Sequence, residues 1–228
     1  TNYQRYVDEF VQYAGEVVEA GKAEALIEPG NRITVKGKVP SAPPLAKMPQ
    51  MPAYHLVQPD GQGLTLINIG VGPSNAKTIT DHVAVLRPHV WLMIGHCGGL
   101  RRSQRLGDYV LAHAYLRDDN VLDDVLPPSI PLPTIAEVQL AMTRAVREVS
   151  GIEETQLKEH LRTGTVVTTG DRNWELRFAQ IAVRLNQSRA IAIDMESATI
   201  AANGYRYRVP YGTLLCVSDR PLHGEIKL

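Results

Sequence analysis

From residue 64 to residue 218 the chain alternates short apolar runs with amphipathic ones, and this alternation limits the possible folds more than any other feature. The strand-like runs cover residues 64–70, 90–95, 108–116, 163–169, 190–194 and 211–218. Between them, apolar residues recur at helical spacing over 74–86, 134–149, 174–185 and 196–203. Pro73 opens the first of these helices, Thr134 and Glu137 form a capping box at the second, and Gly204 closes the last. Runs that are apolar on both faces and separated by helices are βαβ units around a largely parallel sheet. The expected fold is therefore α/β, with a mixed, largely parallel central sheet flanked by helices, in one domain covering 1–228. Ahead of the alternation, Val7, Phe10, Val11, Ala14, Val17 and Val18 predict a helix over 3–27, and 37–52, with five prolines, reads as a connector.

With 228 residues, a single α/β domain can bury a core large enough to need no metal or disulfide staple. Lys plus Arg and Asp plus Glu are equal at 24 each, which argues against a generally basic nucleic-acid binder. Cys97 and Cys216 lie far apart in apolar runs and read as thiols of a reducing compartment. No leader-like start and no apolar run approaching the length of a membrane span is present, so the expected location is the cytoplasm. A start at Thr1 rather than Met reads as a fragment or a processed end.

In open α/β sheets the ligand lies beyond the carboxyl ends of the strands. That rule selects Gly70-Val-Gly72-Pro-Ser74, Gly95-His-Cys-Gly-Gly99, Thr168-Thr-Gly-Asp171, Asp194-Met-Glu196 and Ser218-Asp219. The glycines let backbone N–H groups approach an anion or a sugar, or they serve ordinary tight turns. The run ending Ala76-Lys77-Thr78 is not a P-loop, because Ala76 and Val71 stand where that motif requires glycine. The dinucleotide fingerprint fails too, with Asn75 in place of its third glycine.

Glu196 and Asp219 each follow an apolar strand and could share a cleft. Breaking a glycosidic bond requires contacts to sugar hydroxyls that strengthen as positive charge develops, and an acid that protonates the leaving group. Glu196 suits the first task and Asp219 the second. The plainer readings are a helix-start carboxylate for Glu196 and a turn residue paired with Arg220 for Asp219. Asp118, Asp119, Asp123 and Asp124 show no ligand pattern with histidine, so no metal is expected.

Ile193-Asp-Met-Glu-Ser-Ala-Thr199, followed by Cys216-Val-Ser-Asp219, resembles the signature of the purine nucleoside phosphorylase and nucleosidase superfamily, and Gly95-His-Cys-Gly-Gly99 is similar to its anion-binding loop. Longer stretches resemble the AMP nucleosidases within it: residues 69–79, 91–100, 107–119, 163–174 and 217–225. The resemblance implies a nucleoside phosphorylase-like, three-layer αβα fold. It also implies hydrolysis of AMP to adenine and ribose 5-phosphate, with no cofactor in the active site. By the same resemblance Met195 and Glu196 hold the ribose, Asp219 is the acid, and Ser218 positions it. Gly72, Gly95, His96 and Gly98 surround the phosphate or water face, Asn173 or Trp174 contacts the base, and Arg5 falls at a phosphate-binding position. Trp174 reads equally as a packing residue.

His96 replaces a small hydroxyl residue of the phosphorylases, and Met93 stands where the hexameric ones carry arginine; both changes favour water over phosphate. His96 either orients that water or is a structural histidine. The resemblance further implies a homohexamer activated by MgATP and inhibited by phosphate. It implies an N-terminal regulatory domain, a first sheet strand ahead of Thr1 and a final helix beyond Leu228. Two other functions fit the residues: a phosphorylase acting on purine nucleosides, and a nucleotide-sensing module without catalysis.

Overall fold

The computed structural model describes residues 3–224, which group into two compact units divided after Gly70. In the first unit, helix α1 (Tyr3–Glu19) is followed by β1 (Ala25–Glu28), β2 (Arg32–Val35), β3 (Ala53–Val57) and β4 (Gly63–Ile67). These strands form an antiparallel sheet in the order β2-β1-β3-β4. One face of α1 packs Ala14 and Val18 onto Ala23, Leu26 and Leu56. The helix is shorter than its apolar spacing predicts. Gly21 adopts a φ of 70° and the backbone reverses there, Lys22 N–H bonding Val17 O at 3.0 Å, so Ala25 and Leu26 continue the spacing from a strand. The run 64–70, expected to begin the βαβ series, is instead the last strand of this sheet. Residues 37–52 form the expected connector.

The second unit contains α2 (Pro73–Val83), β5 (Trp91–Gly99), β6 (Tyr109–Asp118), α3 (Ala136–Ser150), α4 (Glu154–His160), β7 (Leu161–Thr169), α5 (Phe178–Gln187), β8 (Ala192–Asp194), α6 (Ser197–Tyr207) and β9 (Tyr211–Asp219). The pairs β5–β9, β6–β7 and β7–β8 are parallel, while β5–β8 and β6–β9 are antiparallel. The mixed, largely parallel sheet is thus present, and it closes on itself as a barrel in the order β5-β8-β7-β6-β9. Closure depends on the end of β5. Its ladder to β9 shifts register between Cys97 and Gly98, and Gly98 and Gly99 then pair antiparallel with Ile193 and Ala192.

Three apolar clusters fill the spaces around this barrel. Leu111, Met142, Val146, Leu157 and Leu161 join α3 and α4 to β6 and β7. Leu122, Leu126, Leu132, Ala201, Ala202 and Tyr211 cover α6. Leu100, Val167, Trp174, Leu185, Ala190 and Ile193 seat α5. Two helix ends differ from the sequence reading. The N-cap of α3 is Ile135, without a side-chain bond, so the Thr134 capping box does not form. Helix α6 runs through Gly204 to Tyr207 and closes on Arg208 at a φ of 57°. Gly204 is needed for packing, since a Cβ there would lie 2.5 Å from Tyr211 Cδ1. Among the described residues no helix is long and apolar enough to cross a membrane.

Candidate active site

Glu196 occupies the junction between β8 and α6, with an irregular backbone at φ −136° and ψ −31°. It is the N-cap residue but makes no side-chain bond to its own helix. Its carboxylate instead accepts the backbone N–H of Gly72, 124 residues away in the chain. The helix-start reading of Glu196 therefore does not describe its contact. Gly72 precedes α2 with φ 109° and ψ 151°, a conformation open in practice only to glycine. Met195 beside it is half-buried.

Asp194, which the sequence reading did not single out, caps α6 in place of Glu196. Its Oδ2 accepts the Ser197 N–H at 2.8 Å, and its Oδ1 accepts the hydroxyls of Thr168 at 2.6 Å and Ser197 at 2.9 Å. The available signal was an Asp three residues before a helical Ser, a spacing that lets a carboxylate reach a first-turn N–H. Burial pushes the Asp194 carboxyl up, and these donors pull it back. Four donors converge on Asp194, the Glu196 N–H being the fourth, while the Gly72 and Met195 N–H groups serve Glu196, so the negative charge is better held on Asp194. Burial and then the Asp194 charge raise Glu196 well above the usual carboxylate range.

Asp219 ends β9 opposite Gly98 of β5. Ser218 Oγ donates to Asp219 Oδ1 at 2.5 Å. A Cβ at Gly98 would stand 3.6 Å from Asp219 Oδ2, 3.2 Å from Ile193 Cγ2 and 3.6 Å from Pro221 Cδ. Gly98 is thus flanked by the two strand ends that carry Asp219 and Asp194-Met195-Glu196. Arg220 directs its guanidinium to the carbonyls of Gln104 at 2.6 Å and Arg102 at 3.2 Å.

The remaining candidates divide between this region and other places. Gly95, His96 and Gly98 belong to β5 itself, not to a turn after it, because the strand continues to Gly99 to close the barrel. His96 is half-buried and faces Cys216 in the ladder. Cys97 and Cys216 are free thiols, and burial pushes Cys97 well up. Trp174 is buried in the α5 cluster and walls a cavity of about 30 Å³ beside Thr169, Ile193 and Arg184. The indole packs there against Leu185 and Ile193. Asn173 is exposed, its N–H bonded to Asp171 Oδ1 at 2.9 Å. Arg5 lies on α1 in the first unit, exposed and paired with Glu9 at 2.8 Å, rather than at a strand end. Among the described residues no group of three or more His, Cys, Asp and Glu could hold a metal ion.

The sequence model of the Phosphorylase superfamily matches residues 35–227. The chain belongs to this superfamily. As a member of the phosphorylase superfamily it is 65% identical to the AMP nucleosidase of Escherichia coli (strain K12) over its whole length, which is 48% of that protein. It spans about half the length of the curated relatives it matches. The crystal structure of AMP nucleosidase from Bacteroides thetaiotaomicron VPI-5482 aligns at a TM-score of 0.62 and 33% identity, covering 74% of this chain and 68% of that one. A structure of the Plasmodium knowlesi homologue of P. falciparum PNP shares the fold at a TM-score of 0.63 and 18% identity, covering 78% and 71%.

Proposed function

We propose that this chain carries the glycosidic chemistry of an AMP nucleosidase, in which AMP and water give adenine and ribose 5-phosphate. The observation that carries the reading is the pairing of Gly98 with Ile193 of β8 on one side and Asp219 of β9 on the other, which brings the acid and the strand leading to the sugar-binding carboxylate Glu196 together at one end of the barrel. Asp219 gives its proton to a ring nitrogen of the purine as the bond to C1′ breaks. Glu196 accepts hydrogen bonds from the ribose hydroxyls, which become more acidic as the ring gains oxocarbenium character. Ribose donors favour the ionised form of Glu196, so substrate opposes the burial that raises its pKa. Water adds to C1′ from the side of His96, whose imidazole orients it, and releases a proton that restores the acid. The 65% identity to an AMP nucleosidase supports AMP as the substrate. The same reading includes activation by MgATP, inhibition by phosphate and a homohexamer.

The test is a product assay on the full-length protein with AMP, adenosine and inosine, with and without phosphate. Adenine and ribose 5-phosphate are expected from AMP without added phosphate, and added phosphate should lower the rate without giving a 1-phosphorylated sugar. Ribose 1-phosphate formed only with phosphate would make the protein a phosphorylase. Binding without adenine release would make it a nucleotide-sensing module.

A further inference from the structure

We infer that Asp194 is a positioning residue: held by Thr168 and Ser197, its carboxylate fixes the first turn of α6 so that Glu196 projects onto the Gly72 N–H. The inference rests on the glycosidic reading of the same site. It begins with the hydroxyl protons. Thr168 and Ser197 have one each, and both point at Asp194 Oδ1, while Oδ2 takes the Ser197 N–H. Thr168 Oγ1 in turn accepts the Ala198 N–H at 2.8 Å. One threonine of β7 thereby ties the end of β8 to Ala198 in the first turn of α6. All of these atoms are buried, and Thr168 and Ser197 are fully so. Glu196, between the two anchored residues Asp194 and Ser197, has little freedom except at its own side chain.

Other groups face this pair from each neighbouring element. Cys97 of β5 is a buried thiol whose pKa is raised by burial first, then by Asp194, Cys216 and Asp219. Tyr115 of β6 is raised by burial, with a smaller contribution from Asp194. Both groups are neutral near pH 7. Asp119, following β6, accepts the Thr199 hydroxyl of α6. Asp219 of β9 is the remaining carboxylate, and the entry to α2 contributes the Gly72 N–H. The charge nearest Glu196 in sequence, and the one that raises its pKa after burial, is that of Asp194.

Thr168→Val removes the hydroxyl at nearly constant shape, Asp194→Asn removes the charge, and Thr168→Ser restores the hydroxyl. In the full-length protein, Thr168→Val and Asp194→Asn are expected to lower kcat for adenine release about 100-fold, with a smaller change in KM. The acid limb of the kcat/KM profile should move to lower pH by about one unit, because less negative charge stands beside Glu196. Thr168→Ser should retain the parental limb and most of kcat. A lower Tm for Thr168→Val with unchanged kcat and an unmoved limb would reduce the network to a structural tie and overturn the inference. If Asp194→Asn does not fold, the Thr168 pair decides. If the parent releases no adenine from AMP, the glycosidic reading fails. A carboxyl NMR titration of Glu196 in the same variants then decides the inference: a shift to lower pH supports it and an unmoved titration refutes it.

Discussion

Gly72→Ala isolates one backbone geometry. A Cβ at Gly72 would meet nothing within 4 Å, so any effect comes from the dihedral angles alone. At φ 109° and ψ 151° an alanine is strained by about 1–3 kcal/mol. The chain has two responses. It can keep the geometry and lose that much stability, or rotate the peptide and lose the N–H bond to Glu196, worth about 0.5–1.5 kcal/mol. Either response lowers Tm by several degrees, at about 2–4 °C per kcal/mol for a chain of this size. Only the second misplaces Glu196, and a displacement of about 1 Å in such a group costs about 100-fold in rate. Gly151, at the C-cap of α3, provides a matched control, with a φ of 66° and open space around its Cβ. Adenine release and thermal unfolding, measured on both alanine variants, separate the cases. The expectation is a comparable loss of Tm in both and a loss of kcat/KM in Gly72→Ala alone. Equal Tm losses with parental kcat/KM in both would refute the idea that the Gly72 N–H sets the position of Glu196.

Asp219→Asn removes the proposed proton donor with little change of shape, and adenine release should fall about 10²- to 10⁴-fold while adenine binding, read by calorimetry, survives. Glu196 titrates above its unfolded-chain value of about 4.3, so its contribution to stability is complete below that value and is lost as pH rises through the raised folded value. Thermal unfolding across this window should therefore show the parent losing Tm relative to Glu196→Gln as pH rises; a constant difference would contradict the raised value. Trp174→Ala should destabilise by about 3–5 kcal/mol in a denaturant titration, because the indole fills the α5 cluster. A loss below about 1 kcal/mol would mean that the ring is not a packing residue.

The barrel strands were legible because β5 to β9 read as nearly continuous apolar runs, including Leu92 and Ile94 of β5, which are in fact exposed. Strands β1 and β2 have four residues each and β3 has five; they pair antiparallel with half-exposed faces, so neither length nor alternation separates them from loop or helix. Glycine was the most misleading letter. Gly204 reads as a stop and is a contact for Tyr211, while Gly98 and Gly99 read as a turn and are the strand residues that close the ring. Glu196 and Asp219 were candidates because each follows an apolar strand, and Ser218 was assigned its role by the family resemblance. Asp194 was selected only as part of a strand end and given no role, because its role depends on Thr168, 26 residues earlier in the chain. The Gly72 contact, spanning 124 residues, has no local signature at all.

A ring of strands has neither a first nor a last member. Each of β5 to β9 is bonded on two sides, although the ladders that close the ring are short, two residue pairs for β5–β8 and three for β6–β9. In the four-stranded sheet, by contrast, β2 and β4 are terminal, and most of β4 is exposed. Amide exchange should accordingly begin on β2 and β4, whereas release of any barrel strand requires two ladders to part together.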